Sequence, residues 1–154
     1  MKELIVVLDN IRSALNVGAI LRTCDGAAIT KVYLCGVTPD ITHPKISKTA
    51  LGAEFKVPVT YFATTDEVLT ELKKEGFTLA AIELTPEATM LQNTELPTKT
   101  ALIFGHEATG VQLNTLATAD LHIMLPMLGT KNSLNVATTV GIVVYYIRLN
   151  ELKT

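Results

Sequence analysis

The sequence has no tryptophan, only two cysteines, and no more than four phenylalanines and four tyrosines. Cys24 and Cys35 stand in no metal-ligand spacing, so no clustered metal site is expected. They read as buried, reduced thiols of a cytoplasmic protein. Positive charge is also scarce. Thirteen Lys and Arg against fifteen Asp and Glu leave a net charge of -2 and a pI near 5.9. A globally basic nucleic-acid footprint is therefore excluded, although a local one is not. Long hydrophobic runs are missing too. The opening MKELIVVLDN holds too short an apolar run for a signal peptide. The longest apolar run, Val136 to Ile147, is interrupted by Thr138 and Thr139 and is too short to span a bilayer. The tyrosines Tyr33, Tyr61, Tyr145 and Tyr146 fall in core-like elements, which argues against a role as base-stacking platforms.

What is present is a chain of ordinary globular composition, 48% apolar and 18% charged over 154 residues. That is enough to bury a core, and a single domain over 1–154 without a separate RNA-binding extension is expected. Strand-like and helix-like segments alternate. Leu4 to Leu8 is a short unbroken apolar run, as in a strand covered on both faces. Asn16 to Ala27 has helical spacing, Lys31 to Cys35 reads as strand, and His43 to Ala53 holds a short helix. Lys56 to Phe62 reads as strand. Thr65 with Asp66 and Glu67 starts a helix that Gly76 stops. Phe77 to Leu84, Thr100 to Phe104 and Leu121 to Leu125 are strand runs, with a short helix over Gln112 to Ala117. Ser133 to about Leu152 forms the last helix. The alternation predicts an α/β fold, a parallel sheet with helices on both faces. In such sheets ligands bind beyond the carboxyl ends of the strands.

Three polar clusters fall at such ends. The first is NIRSALNVGAILRTCDGA, residues 10 to 27, with Asn16 and Arg22 six positions apart. Asn16 as an N-cap and Arg22 as a solvated helix residue is one reading. Two rim residues facing a ligand is the other. Gly18 in the first turn costs about 1 kcal/mol relative to Ala, which suggests a close backbone approach. The second cluster is LIFGHEATGVQ, Leu102 to Gln112, where Gly105 and Gly110 bracket His106 and Glu107. His106 fits a hydrogen-bonded loop residue better than a general base, and capping of the following helix also fits Glu107. The third is LGTKNSLNVATTV, Leu128 to Val140. A capping role explains one of its polar residues but not Lys131, Asn132, Ser133 and Asn135 together.

Taken in order, NVGAILRT (16–23), IFGHEATGV (103–111), LPM (125–127) and SLNVA (133–137) resemble the motifs of the SpoU, or TrmH-type, RNA 2'-O-ribose methyltransferases of the SPOUT superfamily. The likeness continues through KVYLCG and KTALGAE. It implies an alpha/beta knot fold. The segment from about Thr100 onward would form a deep C-terminal trefoil knot, with the last helix threaded through a loop. It implies S-adenosylmethionine as cofactor, held by Gly105, Leu125, Leu134, Met127 and Leu84, with the small Gly129 keeping the loop tight. Arg22, Asn16, Glu107, Ser133 and Asn135 take catalytic or positioning roles, and no metal is needed. The implied partners are tRNA or rRNA and a second copy of the chain, with no membrane. The homodimer would form through the first and last helices. In the last helix Val136, Val140, Val143, Val144 and Ile147 occupy too many faces for a simple surface helix. One face is expected on the sheet and another on a second subunit. Arg12, Lys45, Lys48 and Lys131, near the motif loops, are the candidates for gripping RNA. Ala28 replaces the glycine common in relatives where the first helix turns into the next strand. Two other functions compete: a SPOUT enzyme methylating a base nitrogen, against which Arg22 with Asn16 and Ser133-Leu134-Asn135 argue, and a non-catalytic RNA-binding or assembly protein, against which the intact motif set speaks and which the acidic pI keeps open.

Overall fold

The computed structural model describes residues 1–153. Seven strands form one sheet: β1 (Glu3–Asp9), β2 (Lys31–Cys35), β3 (Val59–Phe62), β4 (Thr78–Ile82), β5 (Thr89–Met90), β6 (Lys99–Gly105) and β7 (Leu121–Met124). Five helices accompany them: α1 (Ala14–Gly26), α2 (Ile46–Ala50), α3 (Thr65–Lys74), α4 (Leu113–Thr118) and α5 (Val136–Leu152). The strands run in the order β3-β2-β1-β6-β4-β7-β5, and every pairing is parallel. The expected parallel sheet is thus present. β6 lies between β1 and β4, with Val6 opposite Leu102 and Leu79 opposite Ala101.

Central strands covered on both sides explain the unbroken apolar runs. Leu4, Val6 and Leu8 of β1 join Leu102 and Phe104 of β6 in the larger core, beneath α1, α2 and α5. Ile5 and Val7 point the other way and pack with Val68, Leu69 and Leu72 of α3. The alternation follows from the two-residue period of a strand.

Local chemistry sets the helix ends and shifts several expected boundaries. The Ser13 side chain, not that of Asn16, caps α1, accepting the Asn16 backbone N–H at 3.2 Å. Asn16 therefore lies in the first turn and its amide is free for other partners. α5 begins at Val136 rather than Ser133. Asn135 is its cap, accepting the N–H groups of Ala137 and Thr138 at 2.9 and 3.3 Å. Ser133 and Leu134 therefore sit in the preceding loop. The short helix expected within 43–53 is α2, and a 3-10 turn over Ala53–Phe55 follows it; β3 begins at Val59 rather than Lys56. β5, two residues long and exposed, had no sequence expectation behind it.

Gly18 shows what approaches it. A Cβ there would stand 2.1 Å from Thr49 Oγ1 and 2.3 Å from the Ile46 carbonyl oxygen, so the close neighbour is α2. Thr49 Oγ1 also donates to the Leu15 carbonyl at 2.8 Å. Gly129 behaves differently. Nothing lies within 4 Å of a Cβ built there, so its loop is not kept tight by lack of a side chain.

Two expectations, one for the last helix and one for the tyrosines, are corrected. Val136, Val140, Val143, Val144 and Ile147 are all buried in the chain's own core, so none faces a second subunit. The exposed apolar residues of α5 are Ile142, Tyr145, Tyr146 and Leu149. Of the four tyrosines only Tyr33 is buried, and Tyr61, Tyr145 and Tyr146 are exposed. α5 is fixed instead by Arg148, buried at its far end. Its guanidinium donates to the carbonyls of Ala27, Ala28 and Lys2 and to Glu151. Ala28 holds a left-handed φ of 51°, a conformation that favours glycine. No helix among the described residues is long and apolar enough to cross a membrane.

Candidate active site

The carboxyl ends of β4, β6 and β7 open on a cleft of about 430 Å³, closed on the remaining side by the loop leading into α5. Its volume is in the range that holds a cofactor-sized molecule. β4 contributes Leu84 just beyond its end, and β6 contributes Gly105. The segment after β7 contributes Leu125 and Met127, and the loop before α5 contributes Ser133, Leu134 and Asn135. All five residues expected to hold a cofactor therefore meet in one place. Leu84 and Leu134 are 59% and 42% exposed, so the cleft offers apolar surface that an occupant would cover.

Gly105 owes its identity to the loop itself. A Cβ at this position would meet Val111 N at 2.2 Å and Gly110 C at 2.3 Å. The loop doubles back tightly, with His106 and Gly110 exchanging backbone hydrogen bonds at 3.1 and 2.8 Å. His106 Nδ1 accepts the N–H groups of Ala108 and Thr109 at 3.0 and 3.3 Å, a loop-shaping role.

Glu107 projects from this loop to the start of α1. Its Oε2 accepts the Arg12 N–H at 3.1 Å. Its Oε1 accepts the Ser13 N–H at 3.2 Å and the Asn16 Nδ2 at 3.4 Å. Glu107 thus serves the N-terminus of α1, not the helix that follows it, and an anion is stabilised there. Burial pushes its carboxyl up, but bonds from its own N–H, from Arg12, Ser13 and Asn16 outweigh that and hold it below the usual carboxylate range. Asn135 Nδ2 in turn donates to Asn16 Oδ1 at 3.3 Å. Asn135, Asn16 and Glu107 form one chain of hydrogen bonds along the rim, drawn from all three motif regions.

Arg22 is not brought into this cleft. It is exposed, six residues beyond Asn16, which is about 9 Å further along α1. Its guanidinium makes no hydrogen bond or ion pair with any described residue. Arg12 and Lys131 are exposed next to rim residues, and Lys45 and Lys48 are exposed beside and on α2, which packs against α1.

Sequence reasoning passed over Glu83. It stands one residue past β4, lines the cleft, and accepts the Val111 N–H at 2.9 Å and the Leu84 N–H at 3.2 Å. The signal was available, since an acid at the carboxyl end of a parallel strand is placed where ligands bind. Both cysteines are buried free thiols; burial pushes Cys24 up strongly and Cys35 up to about 12. Among the described residues no group of three or more His, Cys, Asp or Glu could hold a metal ion.

The family model described as the SpoU rRNA Methylase family matches residues 3–145. The tRNA (guanosine(18)-2'-O)-methyltransferase of Thermus thermophilus is 32% identical over 151 residues, covering 98% of this chain and 77% of that protein. The 23S rRNA (guanosine(2553)-2'-O)-methyltransferase RlmP of Bacillus subtilis is 33% identical over 150 residues, covering 94% of this chain and 57% of that protein. Among solved structures, the A. aeolicus TrmH/SpoU tRNA modifying enzyme superposes with a TM-score of 0.88 at 29% identity, over 99% of this chain and 77% of that one. The AdoMet-bound rRNA methyltransferase from Sinorhizobium meliloti superposes with a TM-score of 0.90 at 25% identity, over 97% of this chain and 57% of that one. With its three motifs gathered around one cleft and the family match running through most of its length, the chain belongs to the SpoU rRNA methylase family.

Proposed function

We propose that this protein transfers a methyl group from S-adenosylmethionine to a ribose 2'-hydroxyl of tRNA or rRNA in the cytoplasm. The observation that carries this reading is the convergence of Leu84, Gly105, Leu125, Met127 and Leu134 on one cleft whose rim is the Asn135–Asn16–Glu107 chain. Relatives that match nearly the whole chain bear the names of 2'-O-methyltransferases. The residues present suit the donor. Leu84, Leu125, Met127 and Leu134 supply apolar walls for a flat ring, and the half-exposed state of Leu84 and Leu134 would be relieved by it. When bound, the donor supplies an electrophilic methyl on a good leaving group, so the chain needs no metal for this transfer.

What remains for the protein is positioning and charge. A ribose hydroxyl must lose its proton as its oxygen attacks. Arg22 is a guanidinium and stays protonated, so it stabilises the developing oxyanion or orients a phosphate rather than acting as base. Since Arg22 lies away from its own cleft, it serves the cleft of a second subunit. The homodimer this requires is formed over α5. Ile142, Tyr145, Tyr146 and Leu149 recur at i, i+3, i+4 and i+7 and leave an apolar stripe exposed. Two-fold pairing is the commonest closed assembly. Arg12, Lys45, Lys48 and Lys131 hold the RNA. In this reading the segment from Thr100 onward is knotted, with α5 threaded through a preceding loop.

The test is transfer of labelled methyl to unmodified tRNA and rRNA transcripts, followed by alkaline digestion. A 2'-O-methyl group blocks cleavage at its own linkage, so label recovered in alkali-resistant dinucleotides supports the proposal. Label on a base nitrogen would replace it with the base-methylating reading. RNA binding without any transfer would replace it with the non-catalytic one.

A further inference from the structure

Charge is unevenly placed in the cleft. Among the described residues two carboxylates, Glu83 and Glu107, line it, and no lysine or arginine does. His106 Nδ1, accepting two backbone N–H groups, holds no proton on that nitrogen. Glu107 is committed to the N-terminus of α1, whose partial positive charge compensates it. Glu83 has no such partner. It is half-buried, and among the described residues its oxygens accept only the neutral N–H groups of Leu84 and Val111 and no cation pairs with it. The loop is shaped around this carboxylate. Gly110 has a φ of 73°, and a Cβ there would lie 2.2 Å from Glu83 Oε2. A charge held half out of water at the end of β4 is felt more strongly than one on the surface.

We propose that Glu83 makes the cleft selective for a cationic occupant, and so for the charged methyl donor over its uncharged product. This rests on the reading of the cleft as the site of S-adenosylmethionine. The donor carries a sulfonium, an ammonium and a carboxylate, a net charge of +1. In transfer the ribose oxygen bonds to the methyl carbon, and the carbon–sulfur bond breaks with its electron pair left on sulfur. The hydroxyl proton passes to water. S-adenosylhomocysteine therefore carries no net charge, and the attraction of Glu83 for the occupant falls when the reaction is over. Glu83 acts on loading and release, not on the chemical step.

Calorimetry on the full chain tests this with three ligands: S-adenosylmethionine, S-adenosylhomocysteine, and sinefungin, in which an ammonium-bearing carbon replaces the sulfonium. The two cations are expected to bind about five- to tenfold more tightly than S-adenosylhomocysteine, the scale of one unit charge felt across several ångströms at an intermediate dielectric. Glu83→Gln should weaken both cations, leave S-adenosylhomocysteine unchanged, and bring the ratio close to one. Product inhibition should rise in proportion. Equal affinity of the wild type for S-adenosylmethionine and S-adenosylhomocysteine overturns the inference, as does an unchanged ratio in a folded Glu83→Gln. The wild-type comparison stands even where the variant fails to fold. Binding of none of the three ligands takes down the cofactor reading and this inference together, whereas equal binding takes down only this one.

Discussion

Replacing Arg148 should show how the last helix is held. The side chain is buried, and its donors reach four acceptors between 2.8 and 2.9 Å: the Ala27, Ala28 and Lys2 carbonyls and a Glu151 oxygen. Arg148→Ala leaves three carbonyls and a carboxylate without that partner in a place that water reaches poorly. Breaking a buried, hydrogen-bonded charge from one side costs about 3–5 kcal/mol. A domain of this kind has a total of about 5–15 kcal/mol, so the variant should approach the edge of folding. Arg148→Lys keeps the charge but cannot span acceptors in the turn after α1, just before β1 and on its own helix at once, and should recover less than half. Urea unfolding followed by circular dichroism is the assay, since the chain has no tryptophan. It should be run at one protein concentration, because the proposed subunit association would also shift the midpoint. A loss below about 1 kcal/mol, the net value of an ordinary hydrogen bond, would refute the argument. The valines of α5 would then suffice to dock it.

Arg22→Ala should lower single-turnover methyl transfer by about 100-fold or more while S-adenosylmethionine affinity is kept, and Arg22→Lys should not restore the rate; a wild-type rate would reduce Arg22 to a helix-surface residue. Leu134→Asp should show the opposite pattern, abolishing cofactor binding seen by calorimetry before any effect on folding. Ile142→Asp with Leu149→Asp should convert a dimer to a folded monomer in sedimentation, whereas Val143→Asp should unfold the chain, because Val143 is fully buried. The folded Glu107 carboxyl lies below its ordinary value of 4.5, so its bonds to α1 stabilise the fold above that pH and are lost as pH falls through the folded value. Thermal melts of Glu107→Gln should therefore converge with wild type in acid and fall below it near neutrality, and parallel curves would count against the tether.

The central strands and α1 are legible because they carry their own period, apolar runs for β1 and β6 and helical spacing for α1, whereas the two-residue, exposed β5 carries none. Boundaries were less so. Ser13 and Asn16 are both good cap residues, and only the geometry of the turn decides that Ser13 caps while Asn16 turns to Glu107. The valines of α5 misled for a related reason. Composition says that a helix is apolar all round, but only packing says which apolar face is already covered. Here the exposed face carries the bulky Ile142, Tyr145, Tyr146 and Leu149, readable as a stripe once the buried valines are set aside. The cleft residues were found through motif resemblance. Glu83 lies outside those motifs, and only its hydrogen bonds to the second motif's loop bring it in.

The position of β6 has a consequence for how the chain reaches this state. β1, β2 and β3 can pair as soon as the first 62 residues exist, but the inner edge of β1 has no partner until residues 99–105 arrive. β4 waits for the same strand. Through that interval the apolar edge of β1, Leu4 to Leu8, is open to pairing with the wrong chain. Closing the middle of a parallel sheet after β1, β2 and β3 have paired also requires contacts between distant parts of the sequence, which slows folding. The strand that carries Gly105 to the cleft is therefore also the one that ends the period of exposure. Core substitutions in β6, such as at Leu102 or Phe104, should reveal themselves first as aggregation during synthesis and only later as lost stability.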